Sequence, residues 1–519
     1  MRPRREGGIV SDEPVVLGAK ADAAAFFAPA ARKAEVDVYS EITPTREPYD
    51  HQRRAVNAAV RALIDSGYFA LFMEMGTGKT KSTLDTTAVM AARGKIEGLV
   101  VVAPKGIMST WVEEELPKNL SEPYVVYSWD GRTSKKSEEE FRAFLAAKKL
   151  AVFVVNVEAF QRANDVLVQR LKAFVTSRKC IVAVDESSFI KSPDAIRSRK
   201  LVAFGKLVPY RMILTGTEIV NSPLDLYMQM KFLNPSFWGS MTYFLFRARY
   251  AILIDEYGSG GKIHKKVVGF QRMPELMDRV SQHCFRALKK DCLDLPPEIY
   301  QDVIVELSPA QEKVYSSLKR SLAALVGDTL VTAANKMALF TKFRQVTGGS
   351  IITESGIEVI EARPAKLEAI LADLADTDEQ AVIWAAFTHE IDMLVRELSS
   401  LGVAVAFHGD ISDRDREAGK LAFQLGKARF FVANPQAAGF GLNLQNCHLD
   451  YTYSPVLSPA QTWQAWARTH RPGQTESVVH KKLAVKGTVD QRVWELLAVK
   501  TDIREKFQGM SIEEIINLV

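Results

Sequence analysis

Short apolar runs set between helix-like stretches constrain this 519-residue chain more than any other feature. Between residues 46 and 235 they are Tyr68-Phe-Ala-Leu-Phe-Met73, Leu99-Val-Val-Val-Ala103, Ala151-Val-Phe-Val-Val155, Ile181-Val-Ala-Val184 and Met212-Ile-Leu214. A run that is apolar on both faces is a strand buried on both faces. Such strands, spaced by helices, build a parallel sheet covered on each side. The pattern predicts an α/β domain of the doubly wound kind. It returns after residue 363, at Ala381–Trp384, Val403–Phe407, Phe430–Ala433 and Val478–His480. We therefore expect two α/β domains, 46–235 and 363–519. Residues 1–45 lack sustained periodicity and read as an N-terminal arm. In 236–362 the texture changes: aromatics cluster between Phe237 and Tyr250, a turn follows at Gly258-Ser-Gly-Gly261, and basic residues fill Lys262–Lys266. Residues 308–346 then read as helical, with Pro309 near the start and Gly348-Gly349 at the end. The expectation for 236–362 is a mostly helical insertion and bridge.

Composition sets the outer limits. An apolar content of 47% and a charged content of 25% are those of an ordinary globular protein. The net charge of +5 permits a polyanionic partner without arguing for one. Cys180, Cys284, Cys292 and Cys447 are far apart and form no C-x-x-C pair. Neither a zinc site nor a disulfide framework is expected, and the simplest reading is a reducing compartment, cytoplasmic or otherwise intracellular. No apolar run approaches the ~20 residues of a membrane span. The basic start Met1-Arg-Pro-Arg-Arg5 is followed by no apolar signal core.

The first apolar run leads into Met73-Glu-Met-Gly-Thr-Gly-Lys-Thr80, and a helix-like stretch follows. Strand, Gly-containing loop and helix are what a phosphate cradle needs: backbone N–H groups point at the anion, and glycines let it approach. Gly76, Thr77, Gly78, Lys79 and Thr80 are thus candidates to hold a nucleoside triphosphate. Lys79 would reach the β- and γ-phosphates and Thr80 would hold Mg²⁺. Met73 stands where the motif has its first glycine. A Gly-rich strand–helix turn without a ligand is the competing reading.

The run Ile181–Val184 ends in Asp185-Glu-Ser-Ser188. A buried strand delivers its C-terminal residues to the sheet edge where the loop around Lys79 should lie. Asp185 would bind Mg²⁺, and Glu186 would polarise the attacking water as general base. A solvated acidic pair at a strand end is the alternative. In the second domain, Gln464, Arg468 and Arg471 are four and three residues apart. Helical spacing would place them on one face, as suits arginine fingers that neutralise charge on a γ-phosphate when two domains close. A solvated basic helix end competes with that reading. Ala438-Gly-Phe-Gly-Leu-Asn-Leu444 offers a Gly-x-Gly loop, ending at Gly441, that would let backbone approach a phosphate or would simply turn the chain.

Read in order, these segments resemble the ATPase core of superfamily-two helicases, in particular the Swi/Snf-like branch of double-stranded DNA translocases, over about residues 46–500. Tyr49-Asp-His-Gln52 resembles the adenine-reading glutamine element, with Gln52 the reader. Val102-Ala-Pro-Lys-Gly-Ile-Met-Ser-Thr-Trp-Val-Glu-Glu114 resembles the segment with Pro, Trp and a following Glu. Leu214-Thr-Gly-Thr217 with Asn221 resembles the coupling motif, and Leu288–Pro297 resembles the bridge into the second lobe. Gly439–Leu444 and Gln464–Gln474 resemble the family's last two motifs. The resemblance implies two RecA-like lobes, use of ATP and Mg²⁺, and stepping along DNA as the lobes open and close. It also implies DNA-backbone contacts at Lys105, Thr215 and Thr217 on the first lobe and Asn443 on the second.

Several positions depart from the branch's usual text. Thr77 replaces a Leu, Ser188 a His, and Glu218 a Pro, while Leu457-Ser458 replace Trp-Asn. A divergent or minimal member is expected, with protein partners unspecified. A strand-separating DNA or RNA helicase and a motor subunit that works only with a partner are the rival readings. Trp384, Trp463 and Trp466 read as core or interface rather than base-stacking platforms. Lys262–Lys266 and Arg286–Lys290 read equally as a DNA channel and as solvated faces.

Overall fold

A computed structural model describes residues 15–16, 37–161, 165–216, 222–257, 263–324, 333–438 and 442–498. The chain divides into two compact units, Met1–Cys292 and Leu293–Val519.

The first unit is built on a seven-stranded parallel sheet. Its strands in chain order are β1 (Tyr68–Met73), β2 (Gly98–Ala103), β3 (Tyr124–Ser128), β4 (Leu150–Asn156), β5 (Cys180–Val184) and β6 (Tyr210–Thr215). An antiparallel hairpin of β7 (Ala251–Tyr257) and β8 (Ile263–Phe270), joined at β8 by the two-residue strand Val15–Val16, stands apart, and β9 (Cys284–Ala287) then returns to the sheet. The spatial order is β9-β1-β6-β5-β2-β4-β3. β1, β2 and β5 are buried at every residue, as continuous apolar runs require of strands covered by helices on both faces. Because the strands are parallel, β1, β6 and β5 end at the same edge of the sheet, side by side.

The second unit carries a six-stranded parallel sheet in the order β10-β17-β16-β13-β15-β14. These are β10 (Glu298–Val305), β13 (Ala381–Trp384), β14 (Ala404–Phe407), β15 (Phe430–Ala433), β16 (Leu449–Thr452) and β17 (Val478–Val485). The small hairpin of β11 (Ser350–Thr353) and β12 (Gly356–Val359) lies outside it. Alternate residues of one strand serve two cores. Ala381 and Ile383 pack with Leu367, Ile391 and Phe430, while Val382 and Trp384 pack with Phe423, Phe431 and Trp466.

The expected strands form where the apolar runs lie. Four others, β3, β9, β10 and β16, have no such signature. β3 and β10 are sheet edges with half-exposed residues, β9 has only four residues, and β16 carries a buried Asp450. The stretch expected to be a mostly helical insertion, 236–362, is mixed. Its helices Tyr243–Tyr250, Met273–Ser281, Pro309–Ala324 and Ala333–Thr347 alternate with β7 to β12. Two of those strands join the main sheets, β9 the first and β10 the second. A neighbouring sheet edge offers their backbones partners, an effect that period alone does not reveal. The Gly258–Lys262 turn falls outside the described residues.

Candidate nucleotide site and arginine segment

Met73 is the last residue of β1 and is fully buried. A strand residue with its side chain in the core has no need to be glycine, which accounts for the departure at this place. The loop then turns through Gly76 (φ 86°) and Gly78 (φ 90°), and the helix Lys79–Ala92 begins. Only glycine suits Gly78: its φ is left-handed, and a Cβ would lie 2.1 Å from Gln52 Nε2. No side chain caps this 14-residue helix at Gly78. Its first N–H groups therefore face outward as an anion site.

The loop is clamped from several directions. Gln52 Nε2 donates to the Thr77 carbonyl at 3.1 Å, and a His51 ring nitrogen lies 2.7 Å from the same oxygen. Gln52 Oε1 in turn accepts from Tyr49 N–H at 3.1 Å. Thr77 is fully buried, and its hydroxyl donates to the Glu74 carbonyl at 2.6 Å. The Glu74 carboxylate accepts from Lys289 N–H at 2.7 Å, just past β9. Gly76, Gly78, Lys79 and Thr80 stay half-exposed on the open side.

Two neighbouring strand ends complete the arrangement. After β6 comes Gly216, where a Cβ would meet Lys79 Nζ at 2.7 Å and Met75 at 2.8 Å. The ammonium thus lies over the end of β6, in space that a side chain at 216 would take. After β5, Asp185 and Glu186 are buried. Asp185 accepts from Trp111 Nε1 and from the Glu186 N–H, each at 2.9 Å. Glu186 holds a left-handed backbone (φ 47°), unusual for a residue with a Cβ and typical of strained functional positions. The acidic loop is tied to the helix Leu226–Leu233 and the turn before it. Ser187 donates to Gln229 at 2.6 Å, and Lys191 pairs with Asp225 at 3.1 Å.

This donor set fits Mg²⁺–nucleotide chemistry. It has a glycine cradle that a Cβ would fill, an uncapped helix end, a hydroxyl (Thr80), an ammonium (Lys79) and two buried carboxylates. Trp111 belongs to the Val102–Glu114 segment, whose resemblance alone assigns it no role. The signal was there, since a buried indole needs an acceptor for its N–H. His51, Glu74 and Lys289 carried no such signal.

In the second unit the helix Pro459–Trp466 ends before the arginines. Gln464 is helical and buried; Arg468 and Arg471 lie in the turns beyond, so the single helical face expected for the three is not formed. Instead the segment folds onto residues 442–447. Leu444 N–H donates to the Arg468 carbonyl at 3.0 Å, and Arg471 Nη1 donates to the Leu442 carbonyl at 2.6 Å. Gln474 Nε2 reaches the Cys447 carbonyl at 2.9 Å. The turn needs Gly473, whose φ is 99° and whose Cβ would lie 3.0 Å from Gln445 Nε2. Trp384 and Trp466 are core residues.

Among the candidate DNA contacts, Lys105 is exposed, with its backbone N–H on Glu158 at 3.2 Å. Thr215 is buried at the end of β6. Asn443 is half-exposed, and its carbonyl accepts from Gln424 at 2.7 Å. Thr217, Glu218, Asn221 and Gly441 fall outside the described residues. In the basic stretches, Lys265 pairs with Asp255 at 3.2 Å and Lys289 is buried. Among the described residues no helix is long and apolar enough to cross a membrane.

Comparison with known proteins agrees with this geometry. The SNF2-related domain matches residues 51–348, and the helicase conserved C-terminal domain matches 362–473. Chromodomain-helicase-DNA-binding protein 1-like of Mus musculus is 25% identical over 471 residues, covering 87% of this chain and 49% of its own length. Protein CHROMATIN REMODELING 4 of Arabidopsis thaliana is 24% identical over 507 residues, covering 91% of this chain and 22% of its own. SWI/SNF-related matrix-associated actin-dependent regulator of chromatin subfamily A-like protein 1 of Xenopus tropicalis is 26% identical, covering 87% and 44%. This chain thus spans about half or less of these relatives' lengths. Among solved structures, the Sulfolobus solfataricus SWI2/SNF2 ATPase core in complex with dsDNA is 21% identical, covers 92% of this chain and 98% of its own, and has a TM-score of 0.40. With a domain match spanning more than half of its residues, the chain belongs to the SNF2-related family.

Proposed function

We propose that this chain is a DNA-dependent ATPase that translocates on double-stranded DNA and remodels DNA or protein–DNA complexes without needing to separate strands. The observation that carries this reading is a convergence at three adjacent strand ends. The cradle and Lys79 follow β1, Thr215-Gly216 end β6, and Asp185-Glu186 follow β5, all in a chain of the SNF2-related family.

Each residue has a definite task. The loop amides and Lys79 bind the β- and γ-phosphates, and Gln52 orients the adenine with the amide capacity left after its bonds to Thr77 and Tyr49. Glu186 takes the proton of the attacking water. Thr80 and Asp185 are the residues that would hold Mg²⁺, which when bound neutralises charge between the phosphates. Trp111 keeps the Asp185 carboxylate oriented. Of the second-lobe residues, Arg468 and Arg471 are assigned to neutralise charge on the γ-phosphate, with Gln464 and Gly441 as further nucleotide-binding residues. Lys105, Thr215, Thr217 and Asn443 hold DNA by its phosphates, so binding carries little sequence information. Thr77, which replaces the branch's usual Leu, closes the loop onto Glu74 through its hydroxyl.

The test is a titration of ATPase rate against single-stranded, duplex and branched DNA and against RNA. Stimulation greatest with duplex, with displacement of a triplex-forming third strand and no unwinding of a forked duplex, is expected. A response to single strands alone would replace the proposal with a strand-separating helicase. No activity with any nucleic acid, restored by a cell extract, would make the chain a motor subunit that needs a partner.

A further inference from the structure

Beneath the arginine segment lies a buried polar cluster that the proposed chemistry does not use. Tyr300, His480 and Asp450 are register partners across the three neighbouring parallel strands β10, β17 and β16. His480 and Asp450 are both fully buried, and His480 Nδ1 stands 2.6 Å from Asp450 Oδ2. The other ring nitrogen of His480 faces Glu298 Oε1 at 3.3 Å. Its ring packs against Tyr300 and Trp466, each with its centroid 5.1 Å away, and those two rings touch each other at 5.4 Å. An imidazolium close to two carboxylates and packed against two aromatic rings suits this setting. Burial opposes that charge, but the Asp450 and Glu298 carboxylates outweigh it and lift the His480 pKa to about 9.

The cluster reaches the arginine segment at two consecutive residues. The Thr469 hydroxyl lies 3.1 Å from Asp450 Oδ2 and 2.9 Å from the Trp466 carbonyl, the two acceptors that share its proton. His470 lies with one ring nitrogen 3.3 Å from Glu298 Oε2 and the other 2.8 Å from the Pro296 carbonyl. Thr469 and His470 sit between Arg468 and Arg471, past the end of the helix, in turns whose backbone N–H groups bond back to the Ala465 and Trp466 carbonyls. A charged group delivered by a turn needs a rigid anchor to be held to within a fraction of an ångström.

We infer that the buried row Asp450–His480–Glu298, engaging Thr469 and His470, is the positioning element that fixes Arg468 and Arg471 for the transition state. The inference rests on the proposed role of those arginines. None of the five cluster residues touches nucleotide in this scheme. They act through the backbone that carries the arginines, so their loss lowers turnover while ground-state binding of ATP on the first lobe is kept.

The test uses the full chain with saturating duplex DNA and Mg²⁺–ATP, reading kcat and KM for ATP separately. Thr469→Val removes the hydroxyl and adds no buried charge. It should lower kcat by about 10- to 100-fold, the scale of a misplacement near 1 Å. KM should stay within about twofold, and Thr469→Ser should restore kcat. Asp450→Asn should give the same split in protein that melts above the assay temperature. If it does not fold, Thr469→Val decides alone. Wild-type kcat in Thr469→Val, or a raised KM at unchanged kcat, overturns the inference. Arg468→Ala separates the two levels of argument. An inactive Arg468→Ala beside a fully active Thr469→Val removes the positioning role alone, whereas a fully active Arg468→Ala removes the arginine reading beneath it.

Discussion

The two lobes hold their charged groups in different ways. In the first, Lys79 is six residues past the end of a fully buried strand, and Asp185 and Glu186 directly follow another. Backbone geometry does the placing: glycines at positive φ, a helix N-terminus, and parallel strands that end together. In the second, the arginines follow a helix that has already stopped. Thr469 reaches 19 residues back to Asp450, and His470 reaches 174 residues back to Pro296. The first arrangement tolerates drift in the surrounding sequence, because its parts are local. The second depends on strands keeping register across the whole sheet.

This contrast can be tested, beginning where the effect should be largest. Glu186→Gln should lower single-turnover hydrolysis by about 10³-fold, the usual contribution of a general base. Binding of a fluorescent ATP analogue should be kept, whereas Lys79→Ala should lose both. Persistent hydrolysis in Glu186→Gln would mean that another group serves as base.

Gly78→Ala should come next. It combines a left-handed φ with a Cβ driven into Gln52, and strain of about 1–3 kcal/mol is expected. Read as nucleotide affinity, that is a loss of about 5- to 150-fold. Gln52→Ala, which removes the adenine reader, should cost less affinity in the Gly78→Ala chain than it does alone. Additivity of the two changes would show that the clash is not what hurts.

Trp111→Phe removes an N–H from a carboxylate. Such a bond contributes about 1.5–3 kcal/mol, so kcat should fall by about tenfold or somewhat more, with a higher Mg²⁺ requirement. An unchanged Mg²⁺ dependence would confine Trp111 to packing.

The smallest effect concerns pH. The folded His480 holds its proton up to about pH 9, against an ordinary 6.5. A pKa raised by folding favours the folded state fully below pH 6.5 and stops doing so as pH rises through about 9. The melting transition of the second lobe should therefore move down by a few degrees between pH 7.5 and 9.5, roughly what 1 kcal/mol does in a domain of this size. In Asp450→Asn, in which the main carboxylate partner is gone, the downward step should begin at lower pH.

The resemblances and the apolar runs had already marked much of this. The central strands β1, β2, β5, β13 and β15 announce themselves because strands covered on both faces must be apolar throughout. The cradle was legible for a related reason: Gly78 and Gly76 occupy backbone positions that other residues resist. Strands β9 and β10 were not legible, because β9 has only four residues, β10 mixes Glu298, Gln301 and Asp302 with its apolar residues, and both pair only when a sheet edge is presented to them. The spacing of Gln464, Arg468 and Arg471 misled in a specific way. It assumed that a helix continues, whereas the chain leaves it at Trp466 and is drawn onto residues 442–447 by hydrogen bonds that helical periodicity cannot foresee.

What the sequence alone determined is the class of fold, the phosphate loop with Lys79, and the acidic pair at a strand end. Each is written in consecutive residues whose backbone or burial demands are strong. What only the tertiary structure decided is the company these residues keep: Trp111 on Asp185, Gln52 under Gly78, and His480 between Asp450 and Glu298 beneath the arginines. Those contacts join positions far apart along the chain. They exist because strand order and register bring the positions together, and no local pattern of residues encodes which strand lies beside which.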